Sequence, residues 1–159
     1  MFQDPGFCPY TGLRPFTEDE SIYFKGRDEH IDQATKQLER NKFIIVTGAS
    51  GDGKSSLVYA GIIPNAKAGF LRANYSNWTV ADFRPERSPM RNLSHALAQA
   101  LGINESTAFT ELGYGFSALV DMYKASPLYF DPLAEATEAG DASRVRARQS
   151  SNLIILADQ

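Results

Sequence analysis

The apolar residues of this chain fall into two patterns, short unbroken runs and residues spaced three and four apart. Residues 7–16 mix aromatics with Pro9, Gly12 and Pro15, which rules out a regular helix. This stretch is expected to be an extended arm that lays Phe7, Tyr10, Leu13 and Phe16 on a neighbouring surface. Thr17 followed three residues on by Glu20 is a capping-box pattern and predicts a short helix through Tyr23, broken at Gly26. Ile31, Ala34 and Leu38 recur at helical spacing within residues 27–40. Residues 43–47, Phe-Ile-Ile-Val-Thr, have no alternation and predict a strand buried on both faces of a parallel sheet. A helix is expected from Lys54 to Ala60, with Gly61 and Pro64 marking its end. Residues 77–83 predict a second strand. Ser88-Pro89 opens a helix whose Met90, Leu93, Leu97 and Leu101 share a face up to Gly102. Phe116, Leu119, Val120 and Tyr123 predict another amphipathic helix, and the polar residues 131–152 a further one. Residues 153–157 form a third apolar run, ending at Asp158. Strands separated by helices predict an α/β fold with a mostly parallel sheet.

Composition narrows the function classes. With 43% hydrophobic and 22% charged residues, the 159-residue chain lies in the globular range and has enough material for a core. The net charge is −3, and neither half of the chain has a basic excess, which argues against binding a nucleic-acid backbone as the main task. No apolar run approaches the ~20 residues of a membrane span. The polar start after Met1 predicts no secretory signal. The single cysteine, Cys8, excludes an intrachain disulfide. These features predict a cytoplasmic protein.

The candidate chemistry lies between the first strand and its helix. Gly48-Ala-Ser-Gly-Asp-Gly-Lys-Ser55 fits G-x-x-x-x-G-K-[ST], the P-loop pattern, at every fixed position. Gly48, Gly51 and Gly53 allow backbone angles closed to other residues, so the chain can approach a phosphate closely. Successive N–H groups of Gly48, Ala49, Ser50, Gly51, Asp52, Gly53, Lys54, Ser55 and Ser56 are then expected to cradle ATP or ADP at the positive end of the helix. Lys54 is expected to bring a charge to the β- and γ-phosphates, and the Ser55 hydroxyl to bind Mg²⁺. Asp52 is discordant beside phosphate and is expected to face solvent. A second acid is needed to hold the metal, and Asp158, at the end of an apolar strand, has the right form. No catalytic base is visible after it.

Several further segments resemble one family. Residues 8–16, Cys-Pro-Tyr-Thr-Gly-Leu-Arg-Pro-Phe, then Tyr23-Phe-Lys-Gly-Arg27, the P-loop continuing to Leu57, and Ala60-Gly-Ile-Ile-Pro64 all resemble the novel STAND NTPase group, signal-transducing relatives of the AAA+ ATPases. Trp78-Thr-Val, Arg84-Pro85, Ser88-Pro89 and Leu156-Ala-Asp-Gln159 are similar to that group as well. Glu86 departs from it, since glycine often follows the Arg-Pro pair there. The resemblance implies a switch held in alternative conformations by ADP and ATP, with effector partners or homo-oligomers engaged through C-terminal regions. It also implies that Arg27 lies near the adenine and ribose. It implies a partial P-loop NTPase core in which a fourth strand belongs between the P-loop strand and the strand ending in the metal-binding acid. On this reading residues 1–40 are an N-terminal arm and helical lead-in, and residues 41–159 are the first portion of the NTPase domain, truncated after the third strand. Exposed sheet edges are then expected to invite pairing with other chains.

Other readings of the P-loop remain open: a phosphotransferase acting on a small-molecule hydroxyl, or an interaction module without turnover. A GTPase is less well supported, because neither Asp-x-x-Gly nor Asn-Lys-x-Asp is present. His30 and His95 have no partner cysteine or acid cluster in sequence and read as surface or packing residues. Arg144, Arg146 and Arg148 read as a solvated helix face.

Overall fold

The computed structural model describes residues 11–12, 14–115, 117–131 and 149–158. The chain divides into two compact units, Met1–Arg72 and Ala73–Gln159. Three expectations lie outside the described residues: the arm aromatics Phe7, Tyr10 and Leu13, the start of the helix at Phe116, and residues 132–148 with their three arginines.

In the first unit the capping-box segment forms a 3-10 helix, Glu18–Tyr23. Glu20 explains why the chain turns here. Its carboxylate accepts from the Thr17 N–H at 3.0 Å, and from Arg14 Nη1 and Nη2 at 2.7 and 2.6 Å. The Arg14 fork, helped by the Thr17 N–H, lowers the Glu20 carboxyl to about 2. Lys67 reaches Glu18 at 2.7 Å and ties this turn to the helical segment Ile63–Lys67. Helix α1, Asp28–Asn41, buries Ile31 of the expected stripe, with Ala34 and Leu38 partly buried beside it, and also buries Thr35, which was not expected there. It ends as Lys42 turns left-handed (φ 58°), with its N–H bonded to Leu38 O.

Two expectations for this unit are corrected. Residues 43–47 are not a strand and are not buried on both faces. Ile44 and Val46 pack on the Ile31–Leu57–Ile62 cluster, while Phe43 and Ile45 are 69% and 74% exposed. An apolar run becomes a strand only when another strand answers its N–H and C=O groups, and among the described residues only Asn77–Phe83 and Ser151–Ala157 are paired. The second correction concerns the following helix, which does not stop at Gly61 and Pro64. Helix α2, Lys54–Leu57, passes into a π-helical segment, Val58–Ile62, and then into α3, Ile63–Lys67. Pro64 has no N–H, and in a regular helix its ring would crowd the carbonyl four residues back. The wider turn relieves this, and the Ile63 N–H reaches Val58 O. Gly61 is needed for packing: a Cβ there would lie 2.7 Å from Ile31 Cγ1.

The second unit contains the sheet. Strands β1, Asn77–Phe83, and β2, Ser151–Ala157, pair in parallel from Asn77↔Ser151 to Phe83↔Ala157. A parallel pair needs a long crossover. Helices α4, Pro89–Leu101, α5, Glu105–Leu112, and α6, Ala118–Ala125, lie within it. Ala81, Phe83 and Leu153 meet Leu97, Leu101, Ala108 and Met122 in one core. Burying a leucine such as Leu97, which is fully inaccessible, contributes about 1.5–3 kcal/mol. Helix α4 starts and stops as its sequence predicts, but Met90 is exposed. Helix α5 was not expected; its signal is Asn104, whose side chain accepts the Ser106 N–H at 2.8 Å.

Polar side chains fix the amino end of the strand pair. The Tyr75 hydroxyl donates to Phe130 O at 2.7 Å and accepts the Phe130 N–H. Asn152 Nδ2 donates to the carbonyls of Tyr75 and Asn77. The Tyr123 hydroxyl donates to Ser151 O at 2.8 Å, and burial raises it to about 12. A shift of β2 along β1 would break the Asn152 and Tyr123 bonds together. None of the helices among the described residues is long and apolar enough to cross a membrane.

Candidate functional site: the glycine-rich loop

Residues 48–53 run from the uncovered apolar segment into α2. Gly51 and Gly53 have φ of 87° and 75°, in the left-handed region that favours glycine. Gly48 is glycine for a different reason: a Cβ there would lie 2.8 Å from Asp52 Oδ2. Residues 48–52 are exposed, Gly53, Lys54 and Ser55 half-buried, and Ser56 and Leu57 buried. The loop therefore has one face in water and one end anchored in the core.

Two side chains hold Ala49. Its N–H donates to Asp52 Oδ2 at 2.6 Å, and its carbonyl accepts from Lys54 Nζ at 2.8 Å. Asp52 is exposed, as expected, but its carboxylate turns back onto the loop. The Asp52 N–H also reaches Ala49 O, at 3.3 Å. Arg27, at the start of α1, donates from Nη1 to Asp52 O at 3.3 Å, while its Nε is buried without a partner. The residue singled out ahead of the loop thus touches the loop itself. Ser56 Oγ points the other way and accepts the Phe16 N–H at 3.1 Å. The Ser56 bond has no signal in the local pattern, because its partner lies 40 residues away, whereas the Asp52 bond is made within the turn of the loop itself.

The loop suits a phosphate group in its donor chemistry. The N–H groups of a first helical turn have no partner within the helix, and the Lys54 ammonium rests on a loop carbonyl that phosphate oxygens can replace. Ser55 and Asp158 are hard oxygen donors of the kind Mg²⁺ takes. Ser55 is in the first turn of α2. Asp158 follows β2 in the other unit, its N–H bonded to Phe83 O at 3.0 Å, at the carboxyl end of the parallel pair. Among the described residues no three His, Cys, Asp or Glu side chains group to hold a metal by themselves.

At that same carboxyl end lies a further finding. Glu86 has φ 43°, a left-handed conformation in a residue that is not glycine. The turn is held by Asn92 Nδ2, which donates to Arg84 O at 2.8 Å and to Pro85 O at 3.3 Å. The departure from glycine seen in the sequence is therefore a backbone strain in the structure.

A parallel strand pair with a helical crossover is an α/β arrangement consistent with part of an NTPase-like fold. The chain belongs to the Novel STAND NTPase 1 family, which matches residues 9–159. It is also 26% identical over 110 residues to the UvrABC system protein A of Methanothermobacter thermautotrophicus. That match covers 69% of this chain and 11% of the relative's length. No solved structure matches the chain.

Proposed function

We propose that this chain is the nucleotide-binding part of a STAND-type switch, taking ATP or ADP with Mg²⁺ at residues 48–56. The observation that carries this reading is the state of Lys54, whose ammonium rests 2.8 Å from the carbonyl of Ala49 in its own loop. Left-handed Gly51 and Gly53 shape that loop. When a nucleotide enters, Lys54 exchanges the carbonyl for phosphate oxygens and balances their charge, while the loop N–H groups other than that of Ala49, which Asp52 holds, orient them. Arg27 holds the loop from behind through Asp52 O and extends toward the nucleoside. In this proposal Ser55 and Asp158 are the residues that would hold magnesium, and the ion would supply charge neutralisation on the phosphates. Hydrolysis of the γ-phosphate by water resets the switch, and output passes to effector partners or further copies through regions beyond these residues. A single cysteine and the use of a nucleoside triphosphate support the cytoplasm as the site of this activity.

Support comes from the family and from the geometry of one loop. The test is calorimetric titration of the whole chain with Mg-ATP and with Mg-ADP. The expected outcome is saturable binding of both, weakened at least tenfold by Lys54→Ala with the far-ultraviolet circular dichroism unchanged. Equal binding by the wild type and Lys54→Ala, or no binding by either, overturns the reading.

A further inference from the structure

We propose that Asp52 is a positioning residue that presets the loop while its charge holds nucleotide affinity down, an inference that rests on the nucleotide reading above. Asp52 is the point at which the loop is tied in two directions. Its main-chain carbonyl takes the Arg27 guanidinium at 3.3 Å, and its carboxylate takes the Ala49 N–H at 2.6 Å. Lys54 takes the other end of the same residue, Ala49 O, at 2.8 Å. Ala49 is therefore clamped on N–H and carbonyl by an acid and a base from the far side of the loop. The carboxylate fills the space over Gly48, where a Cβ would come within 2.8 Å of it.

The two clamps respond differently to a polyanion. Lys54 gains by leaving Ala49 O, because phosphate offers it more negative charge. Asp52 has no such alternative: it remains on the Ala49 N–H as a fixed negative charge within the loop that receives the phosphates. Like charges at such range oppose one another, and salt weakens the effect because the site is open to water. The brace and the charge come from the same group, and substitution separates them. Asparagine keeps an oxygen acceptor for the Ala49 N–H and removes the charge, whereas alanine removes both.

The experiment is titration of Mg-ADP into the full chain as wild type, Asp52→Asn and Asp52→Ala, at low and high salt, with amide hydrogen exchange at Ala49 followed by NMR. The expected result is that Asp52→Asn binds about tenfold more tightly at low salt, with the gain shrinking as salt rises. Asp52→Ala is expected to bind more weakly than Asp52→Asn, and to show faster exchange at Ala49. A purely structural role would leave the salt-dependent gain absent. If the wild type binds Mg-ADP and Asp52→Asn binds it equally well, the charge role is overturned while the nucleotide reading stands. If Asp52→Ala matches Asp52→Asn in affinity and in Ala49 exchange, the brace is overturned. Failure of all three proteins to bind overturns the nucleotide reading and this inference with it.

Discussion

The main-chain N–H of Phe16 donates to the hydroxyl of Ser56, 3.1 Å away, so the segment ahead of the first helix is bonded to the helix that leaves the glycine-rich loop. Ser56 is buried. Ser56→Ala strands the Phe16 donor in a partly buried place, which costs about 1–2 kcal/mol. Urea denaturation of the full chain measures this, and an unchanged midpoint would mean that water replaces the bond without loss.

Gly61→Ala forces a methyl group against Ile31, whose Cγ1 and Cδ1 lie 2.7 and 2.9 Å from the site. Overpacking of this kind costs about 1–3 kcal/mol. Ile31→Ala alone costs about 2–5 kcal/mol through lost burial. The two together are expected to cost less than their sum, because the second change makes room for the first. A double-mutant cycle checks it; strict additivity would show that the helix shifts instead.

Glu86→Gly is expected to stabilise the second unit by about 1 kcal/mol, since it relieves a left-handed conformation that disfavours a side chain. Thermal unfolding reads the change as a higher midpoint. A lower midpoint would show that the Glu86 side chain contributes more than its backbone costs.

Glu20 titrates at about 2, below its ordinary 4.5, chiefly because of Arg14 and then the Thr17 N–H. A lowered carboxyl favours the folded state above its ordinary range, and that support is lost as pH falls from about 4.5 toward 2. Arg14→Ala is expected to return most of the shift. Carbon-13 NMR of the Glu20 carboxyl follows it, and titration at the same pH in both proteins would remove Arg14 as the cause.

Legibility in the sequence differed between the two units. Strand β1, helix α4 and strand β2 could be read from local pattern because each carries its own signal: an apolar run, a Ser-Pro start, a glycine stop. Residues 43–47 carry an equally good strand pattern and form no strand, because a ladder is a property of two segments and the pattern belongs to one. The π-helical turn ahead of Pro64 was hidden for a related reason. Proline forbids the regular helix but does not say whether the chain stops or widens, and Ile31 packing against Gly61 accompanies the second outcome.

The site shows the same division. The glycines, lysine and serine of residues 48–55 mark the loop by themselves, since their spacing follows from what a phosphate needs of a backbone. The family is likewise written in the order of motifs along residues 9–159. What only the tertiary structure decided are the long-range bonds of that loop: Ser56 toward Phe16, and Arg27 onto the loop from 25 residues earlier. The bonds of Asp52 and Lys54 to Ala49 are made within the loop's own turn. Local spacing reports the backbone a segment can adopt. Hydrogen bonds between distant residues depend on the packing of whole elements, and the register of β2 on β1, across a crossover whose described residues include helices α4, α5 and α6, is set by that packing.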